Sequence, residues 1–173
     1  GRVYAAKAGE DPDVAQAIEQ HYRPVQSGGR LPENPTACLV AIADKMDTIC
    51  GCFSVDLIPT GGADPYALRR QGIGIIQIML EENLGFSLKA FIEKSLSAFI
   101  EDKAKIAPTA DLVKTFLKNR MVNILTDQGF SKEAVNSALG ASFDDIPDVA
   151  LRVKALDSLR QAPDFEPLSI TFK

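Results

Sequence analysis

The chain has 173 residues, of which 46% are hydrophobic and 24% charged, and this composition is typical of a folded globular protein and excludes a mainly disordered chain. Its formal net charge of -4 excludes a general positive field, so any contact with RNA requires a local basic patch. No run approaches the roughly 18 apolar residues of a membrane span, and no signal peptide is recognisable. We therefore expect a cytoplasmic protein that meets neither membranes nor DNA.

The first predicted helix begins at Asp11-Pro12, where a capping side chain precedes a proline at the first helical position. Val14, Ile18 and Tyr22 then recur at helical spacing and predict one apolar face. His21 lies near the end of this helix, where an imidazole can bind the last carbonyl groups.

The second predicted helix begins with the same signal, Asn34-Pro35. Its predicted buried stripe consists of Leu39, Ile42, Ala43, Met46, Ile49, Cys50 and Phe53. The three cysteines of the chain are Cys38, Cys50 and Cys52, and their spacing does not match a zinc site. We expect reduced, buried thiols.

The third predicted helix begins at Asp64-Pro65 and extends to about Leu84. Gly72 and Gly74 form a G-x-G pattern inside this helix and not after a strand. They therefore do not indicate a dinucleotide-binding loop, and we expect them to allow close packing of helices.

Caps and helix breakers predict the remaining elements, and only the last residues alternate as a strand does. The predictions are a helix over 88–103 capped by Ser87, a break over 105–109, a helix over 110–128 ended by Gly129, a helix from Ser131 to about Gly140, a helix over 147–160 and alternation over 168–172. The predicted fold class is all-α.

Asp44 follows an apolar segment, and a carboxylate there is costly unless it is paired or hydrogen-bonded. We expect a structural ion pair between Asp44 and either Arg69 or Arg70. Metal binding is the alternative interpretation of Asp44, but the chain contains only one histidine, so no metal site is predicted.

Arginine forks bind phosphate and carboxylate equally well, so the arginines have two interpretations, internal ion pairs or contacts with RNA phosphate. Adjacent residues on a helix point about 100° apart, so one of Arg69 and Arg70 can face Asp44 while the other faces a partner. The candidates for RNA contact are Arg69, Arg70, Arg2, Arg23 and Arg30.

Three stretches of the chain, residues 1–24, 37–79 and 116–139, resemble in order and spacing the central part of the β subunit of bacterial heterotetrameric glycyl-tRNA synthetase. The most specific part is A-D-K-x-D-T at Ala43–Thr48, followed by G-x-D-P-x-A-L-R-R at Gly62–Arg70. The resemblance covers nearly the whole chain.

The resemblance implies an internal fragment with a fold related to HD-domain phosphohydrolases. Residues 1–106 would form an HD-like helical domain whose N-terminal part precedes Gly1, and residues 107–173 a smaller helical region leading to an anticodon-binding domain outside this chain. Asp44 matches the last aspartate of the HD metal motif, and it is the only match to that motif in the chain.

The resemblance also implies a function. The β subunit binds glycine tRNA and the α subunit, and the α subunit carries the site that uses ATP and Mg²⁺. The fragment is then a non-catalytic segment of a glycine–tRNA ligase, with no cofactor of its own. Two alternatives stay open: an HD-type metal-dependent phosphohydrolase, or a helical protein-interaction module that makes no RNA contact.

Overall fold

The computed structural model describes residues 1–160, which form eight α-helices and no β-strand. The helices are α1 (Arg2–Lys7), α2 (Pro12–Gln20), α3 (Pro35–Ser54), α4 (Leu68–Glu81), α5 (Leu88–Leu96), α6 (Lys103–Asp127), α7 (Lys132–Ala141) and α8 (Ile146–Arg160). The predicted all-α class is confirmed. The predicted alternation over 168–172 lies outside the described residues.

Side-chain caps begin several of these helices as predicted. The Asp11 carboxylate accepts a hydrogen bond from the Asp13 backbone N–H at 2.8 Å, and the Asn34 side chain accepts one from Ala37 at 2.7 Å. Ser87 and Ser131 cap α5 and α7 in the same way. Each cap satisfies a backbone donor that has no partner within the helix.

Helix α4 begins at Leu68 and not at the predicted Asp64-Pro65. Asp64 still acts as a cap, because its carboxylate accepts from the backbone N–H groups of Leu68 at 2.8 Å and Arg69 at 3.0 Å. The chain between them turns, with Ala67 in the left-handed region at φ 53°. The sequence signal therefore identified the correct cap but placed the start of the helix too early.

The predicted break over 105–109 is wrong, because α6 continues through it with Pro108 inside the helix. Proline removes the one backbone hydrogen bond that its N–H would make, to the Ala104 carbonyl. Side chains further along α6 are fully buried, and their packing holds the helix together. The predicted domain boundary between residues 106 and 107 falls inside α6, and buried side chains on both sides of it belong to one hydrophobic cluster.

Helix α3 lies at the centre of that cluster and contacts α2, α4, α5 and α6. The predicted stripe is confirmed for its buried members, Ile42, Met46, Ile49, Cys50 and Phe53. Leu39 is 54% exposed and Ala43 is also exposed, so the prediction is wrong for these two. The buried positions repeat as adjacent pairs every four residues, beginning with Ala37 and Cys38, so Leu39 and Ala43 fall just outside the buried face.

The predicted apolar face of α2 is also wrong. Val14, Ile18 and Tyr22 are exposed, and the buried residues of the helix are Ala15, Ala17 and Gln20. Small side chains let α2 lie close to α3, and the Gln20 side-chain oxygen accepts a hydrogen bond from the Glu33 backbone N–H at 2.7 Å. The larger apolar residues of α2 are left at the surface.

The cysteines carry free thiols, and Cys38 and Cys50 are buried while Cys52 is half-buried. Burial raises the pKa of the Cys50 thiol to about 12, with the nearby Asp47 charge as the second cause. The expectation of buried thiols is confirmed for Cys38 and Cys50 and is wrong for Cys52. A thiol with the pKa of Cys50 stays protonated and unreactive at neutral pH. None of the helices within residues 1–160 is both long and apolar enough to cross a bilayer.

Substitution of the α3 core tests this packing. Ile42 and Met46 are fully buried, so Ile42→Ala or Met46→Ala should lower the free energy of unfolding by about 2–5 kcal/mol, measured by urea denaturation. Leu39→Ala, on the exposed side of the same helix, should cost less than about 1 kcal/mol. Equal losses at all three positions would contradict the assigned orientation of α3.

Candidate nucleic-acid interface

Asp44 lies on the exposed side of α3, contrary to the prediction that it is embedded in an apolar segment. The predicted ion pair is not formed, since neither Arg69 nor Arg70 lies within ion-pair distance of the Asp44 carboxylate. An exposed carboxylate keeps its hydration and needs no partner. Rotation by one residue along a helix is enough to exchange a buried for an exposed position.

The buried charge belongs to the next residue, Lys45, whose side chain is only 4% exposed. Its Nζ donates a hydrogen bond to the His21 backbone carbonyl at 2.9 Å and so ties α3 to the end of α2. Burial lowers the pKa of the Lys45 ammonium, and the neighbouring Asp44 charge opposes that effect. Sequence analysis missed Lys45, because lysines at such positions usually reach solvent.

Gly74 on α4 makes room for this lysine. A Cβ atom at Gly74 would lie 3.0 Å from Lys45 Cε and 3.3 Å from Pro24 Cδ. Gly72, two residues earlier and on another face, packs against α6 in the same way. The prediction that the G-x-G glycines allow close packing of helices is confirmed.

His21 follows α2 directly, and its Nδ1 lies 3.0 Å from the Ile18 carbonyl oxygen. The predicted contact of the imidazole with the last carbonyl groups of the helix is therefore confirmed. Its ring also contacts the Tyr22 ring, with 4.0 Å between centroids. His21 thus shapes the helix end that receives Lys45.

A cleft of about 430 Å³ lies between the loop after α2, helix α3 and the start of α4. It is lined by Tyr22, Pro24, Val25, Asp44, Lys45, Thr48, Ala67, Arg70 and Gln71. Arg70 Nη1 donates to the Val25 carbonyl at 3.2 Å, which holds the exposed guanidinium at the edge of the cleft. The structure therefore brings Arg70 and Asp44 to one cleft without pairing them.

Arg69 points to a different side of α4. Its Nη2 donates to the Gly61 carbonyl at 2.7 Å, within the loop that precedes the helix. Arg120 on α6 belongs to the same neighbourhood, because the charges of Arg69 and Asp64 both act on its pKa. No local sequence signal distinguished Arg120 from Lys114 and Lys118 on the same helix.

The other predicted arginines are paired with carboxylates. Arg2 on α1 lies 2.7 Å from Glu19 on α2, Arg23 lies 3.0 Å from Glu33, and Arg30 forms an ion pair with the same Glu33. Glu33 thus partly neutralises two arginines, and these contacts lower the pKa of its carboxyl, with the Arg23 hydrogen bond as the largest cause. Among the five candidates, Arg69 and Arg70 differ in that carbonyl groups and not carboxylates bind them within residues 1–160.

Metal ligands do not converge on Asp44. Across the described part of the chain, no group of three or more His, Cys, Asp or Glu side chains is placed to hold an ion. His21, the single histidine, binds the Ile18 carbonyl, as described above. The cleft therefore offers the side chains of Arg70 and Tyr22, the Asp44 carboxylate and backbone groups, and within residues 1–160 no cluster of metal ligands.

The family model described as glycyl-tRNA synthetase beta subunit matches residues 1–140. The glycine–tRNA ligase beta subunit of Desulforapulum autotrophicum is 61% identical over 173 residues, which are all of this chain and 25% of that protein. The beta subunits from Desulfatibacillum aliphaticivorans and Syntrophotalea carbinolica are each 49% identical over 175 aligned residues, again all of this chain and 25% of each relative. The chain thus spans about a quarter of the length of these relatives.

The buried lysine predicts a pH dependence. Because burial places the pKa of folded Lys45 below its ordinary value of 10.5, the unfolded chain binds the proton more tightly and stability rises with pH through that interval. Lys45→Met keeps the volume and removes this effect. The free energy of unfolding of wild type minus variant should therefore become more positive as the pH rises towards 10.5, the ordinary lysine value.

Chemical denaturation at several pH values measures this difference. Lys154→Met, which removes an exposed lysine from α8, corrects for the general loss of one surface charge. The stability difference between wild type and Lys45→Met is compared with the difference for Lys154→Met at each pH. If the first difference falls with pH, or changes with pH as the second does, the Lys45 ammonium is not desolvated in the folded chain.

Proposed function

Because this chain belongs to the glycyl-tRNA synthetase β-subunit family, we propose that it is a non-catalytic helical segment of a glycine–tRNA ligase that helps to bind glycine tRNA and to assemble the subunits. In this proposal the enzyme works in the cytoplasm. ATP and Mg²⁺ are used on the α subunit, and this segment contributes contacts and no chemical step.

One observation carries the RNA part of the proposal. Within residues 1–160, the side chains of Arg69 and Arg70 bind only backbone carbonyls, whereas those of Arg2, Arg23 and Arg30 bind carboxylates. A guanidinium that already pairs with a carboxylate must give up that partner to bind phosphate. One bound to a carbonyl keeps most of its charge and several N–H donors for an anion.

The geometry of the cleft supports the same proposal. Arg70 is exposed at its edge, and Tyr22, which is also exposed, lines the same cleft. Arginine binds phosphate in a forked geometry, and an exposed aromatic ring offers a face for an unstacked base. The cleft therefore has the side chains that a segment of RNA backbone requires.

The metal-dependent phosphohydrolase is the weaker alternative. It requires further ligands around Asp44, and within residues 1–160 none converge there. The local chemistry at Asp44 is that of an exposed carboxylate beside a buried lysine. The proposal therefore includes no hydrolytic step in this segment.

A second observation supports the assembly part of the proposal. The first two helices expose large apolar side chains, which are Val3, Tyr4, Val14 and Ile18. Helices α1 and α2 contact each other, and exposed apolar side chains on neighbouring helices are typical of contact with another protein. We assign this region to the α subunit.

Binding of glycine tRNA by the complete β subunit, assembled with the α subunit, tests the RNA part. Arg70→Ala should weaken binding about tenfold, because a charge-assisted contact is lost. The slope of log K against log salt is negative, and its magnitude should decrease by about 1 for each phosphate contact removed. Arg69→Ala should act in the same direction.

Arg2→Ala is the matched control, since it removes an exposed arginine that Glu19 already neutralises. It should change the affinity by less than about twofold. If Arg69→Ala and Arg70→Ala leave both the affinity and the salt slope at the control values, this segment does not contact tRNA.

Substitutions on α1 test the assembly part. Val3 and Tyr4 are 64% and 80% exposed, so changing both to serine should leave the segment folded. If the α subunit covers them, association of the α and β subunits should weaken at least about tenfold, because two apolar side chains lose their burial. Sedimentation analysis of the two subunits measures the association.

Leu151→Ser on α8 removes an equally exposed apolar side chain and serves as the control. Melting of the isolated β subunit distinguishes a contact with α from a contact within β. A lower melting temperature of β with unchanged association would assign the α1 surface to another part of the β subunit and refute the assembly role.

A further inference from the structure

Helices α4 and α6 approach closely beside Arg69. A Cβ atom at the buried Gly72 would lie 3.1 Å from Phe116 Cε1, 3.2 Å from Leu117 Cδ2 and 3.4 Å from Arg120 Cγ. Gly72 lies three residues after Arg69, on the same face of α4. The stem of Arg120 is therefore held against α4 one turn from Arg69.

The guanidinium of Arg120 is held in place and only partly bound. It lies over the Phe116 ring, with 5.2 Å between Cζ and the ring centroid. Its Nε is buried and has no hydrogen-bond acceptor among residues 1–160. Stacking on an aromatic ring orients the guanidinium and leaves its N–H donors for another group.

The positive charges of Arg69 and Arg120 lie close enough to repel each other. Burial lowers the pKa of Arg120 most, the positive charge of Arg69 lowers it further, and Asp64 opposes both. The Asp64 carboxylate is already engaged, because it accepts the backbone N–H groups of Leu68 and Arg69. Two guanidinium groups held near one committed carboxylate form an arrangement that an added anion would stabilise.

We propose that Arg69 and Arg120 together bind one phosphate group of the tRNA backbone, at a site distinct from the cleft of Arg70. This inference rests on the proposed function and names a further residue for it. Residues 69 and 70 point about 100° apart, so Arg70 faces the cleft beside α3 while Arg69 faces α6. The start of α4 then contacts the RNA backbone at two separate points.

Substitution of Arg120 in the complete β subunit, assembled with the α subunit, tests the site. Arg120→Met removes the charge but keeps an apolar stem against Phe116, and Arg120→Lys keeps the charge without the fork. Arg120→Met should weaken glycine tRNA binding about tenfold and decrease the magnitude of the salt slope by about 1. Arg120→Lys should keep the salt slope and recover part of the affinity.

Lys118→Met is the matched control, since it removes a positive charge from the same helix about 200° away. It should alter the affinity less than Arg120→Met does. The melting temperature of Arg120→Met without tRNA should be unchanged or higher, because a desolvated charge and its repulsion by Arg69 are both removed. An affinity loss with a lower melting temperature and an unchanged salt slope would show a purely structural role and overturn the proposal.

A double-variant cycle distinguishes one shared phosphate from independent contacts. If one phosphate joins Arg69 and Arg120, the double variant should lose less affinity than the two single losses combined. For Arg70 and Arg120, which contact separate phosphates in this proposal, the fold-losses of affinity of the two single variants should multiply in the double variant. If Arg70→Ala weakens binding but Arg120→Met matches the Lys118 control, the two-arginine site is refuted and the proposed function stands.

Two further outcomes would also overturn the site. If inorganic phosphate raises the melting temperature of wild type but not of Arg120→Met, while tRNA binding is equal in both, the site takes free phosphate and not the tRNA backbone. Weaker association with the α subunit and unchanged tRNA binding in Arg120→Met would assign the arginines to an acidic protein surface.

Discussion

Helix α4 lies between α3 and α6, and its two buried glycines set how closely these three helices approach. Gly74 leaves room for the Lys45 side chain on one side, and Gly72 leaves room for Phe116 and Arg120 on the other. A Cβ atom at either position would meet neighbouring side-chain atoms at 3.0–3.4 Å, so those side chains would have to shift. The positions of the arginines at the start of α4 depend on this close packing.

The distribution of charge explains how an acidic chain can present a basic surface. The net charge is -4, yet carboxylates form ion pairs with Arg2, Arg23 and Arg30 and, within residues 1–160, not with Arg69 or Arg70. Salt screens surface charges over about 10 Å, so the overall charge matters less to a bound phosphate than the charges next to it. Local placement, and not composition, therefore decides where an anion can bind.

Lys45 and Asp44 are adjacent on α3, yet the first is buried between helices and the second is exposed to solvent. The long lysine stem crosses the apolar contact between helices, and its ammonium reaches a carbonyl at the end of α2. Carbonyls at a helix C-terminus lack partners within the helix and carry the negative end of its dipole, so they suit a cation. The adjacent aspartate stays in solvent and lines the cleft, so the helix contact is stabilised by a cation and not by the expected ion pair.

The sequence alone determined the all-α class, the capped starts of α2, α3, α5 and α7, and most of the buried stripe of α3, because caps and helical periodicity join residues close together in the chain. It misjudged the path after Asp64, the helix around Pro108 and the face of α2. Only the tertiary structure decided that Lys45 is buried beside His21, that Glu33 pairs with Arg23, and that Arg120 packs against α4 near Arg69. These contacts join residues far apart in the chain, and no local pattern records which segments will be neighbours.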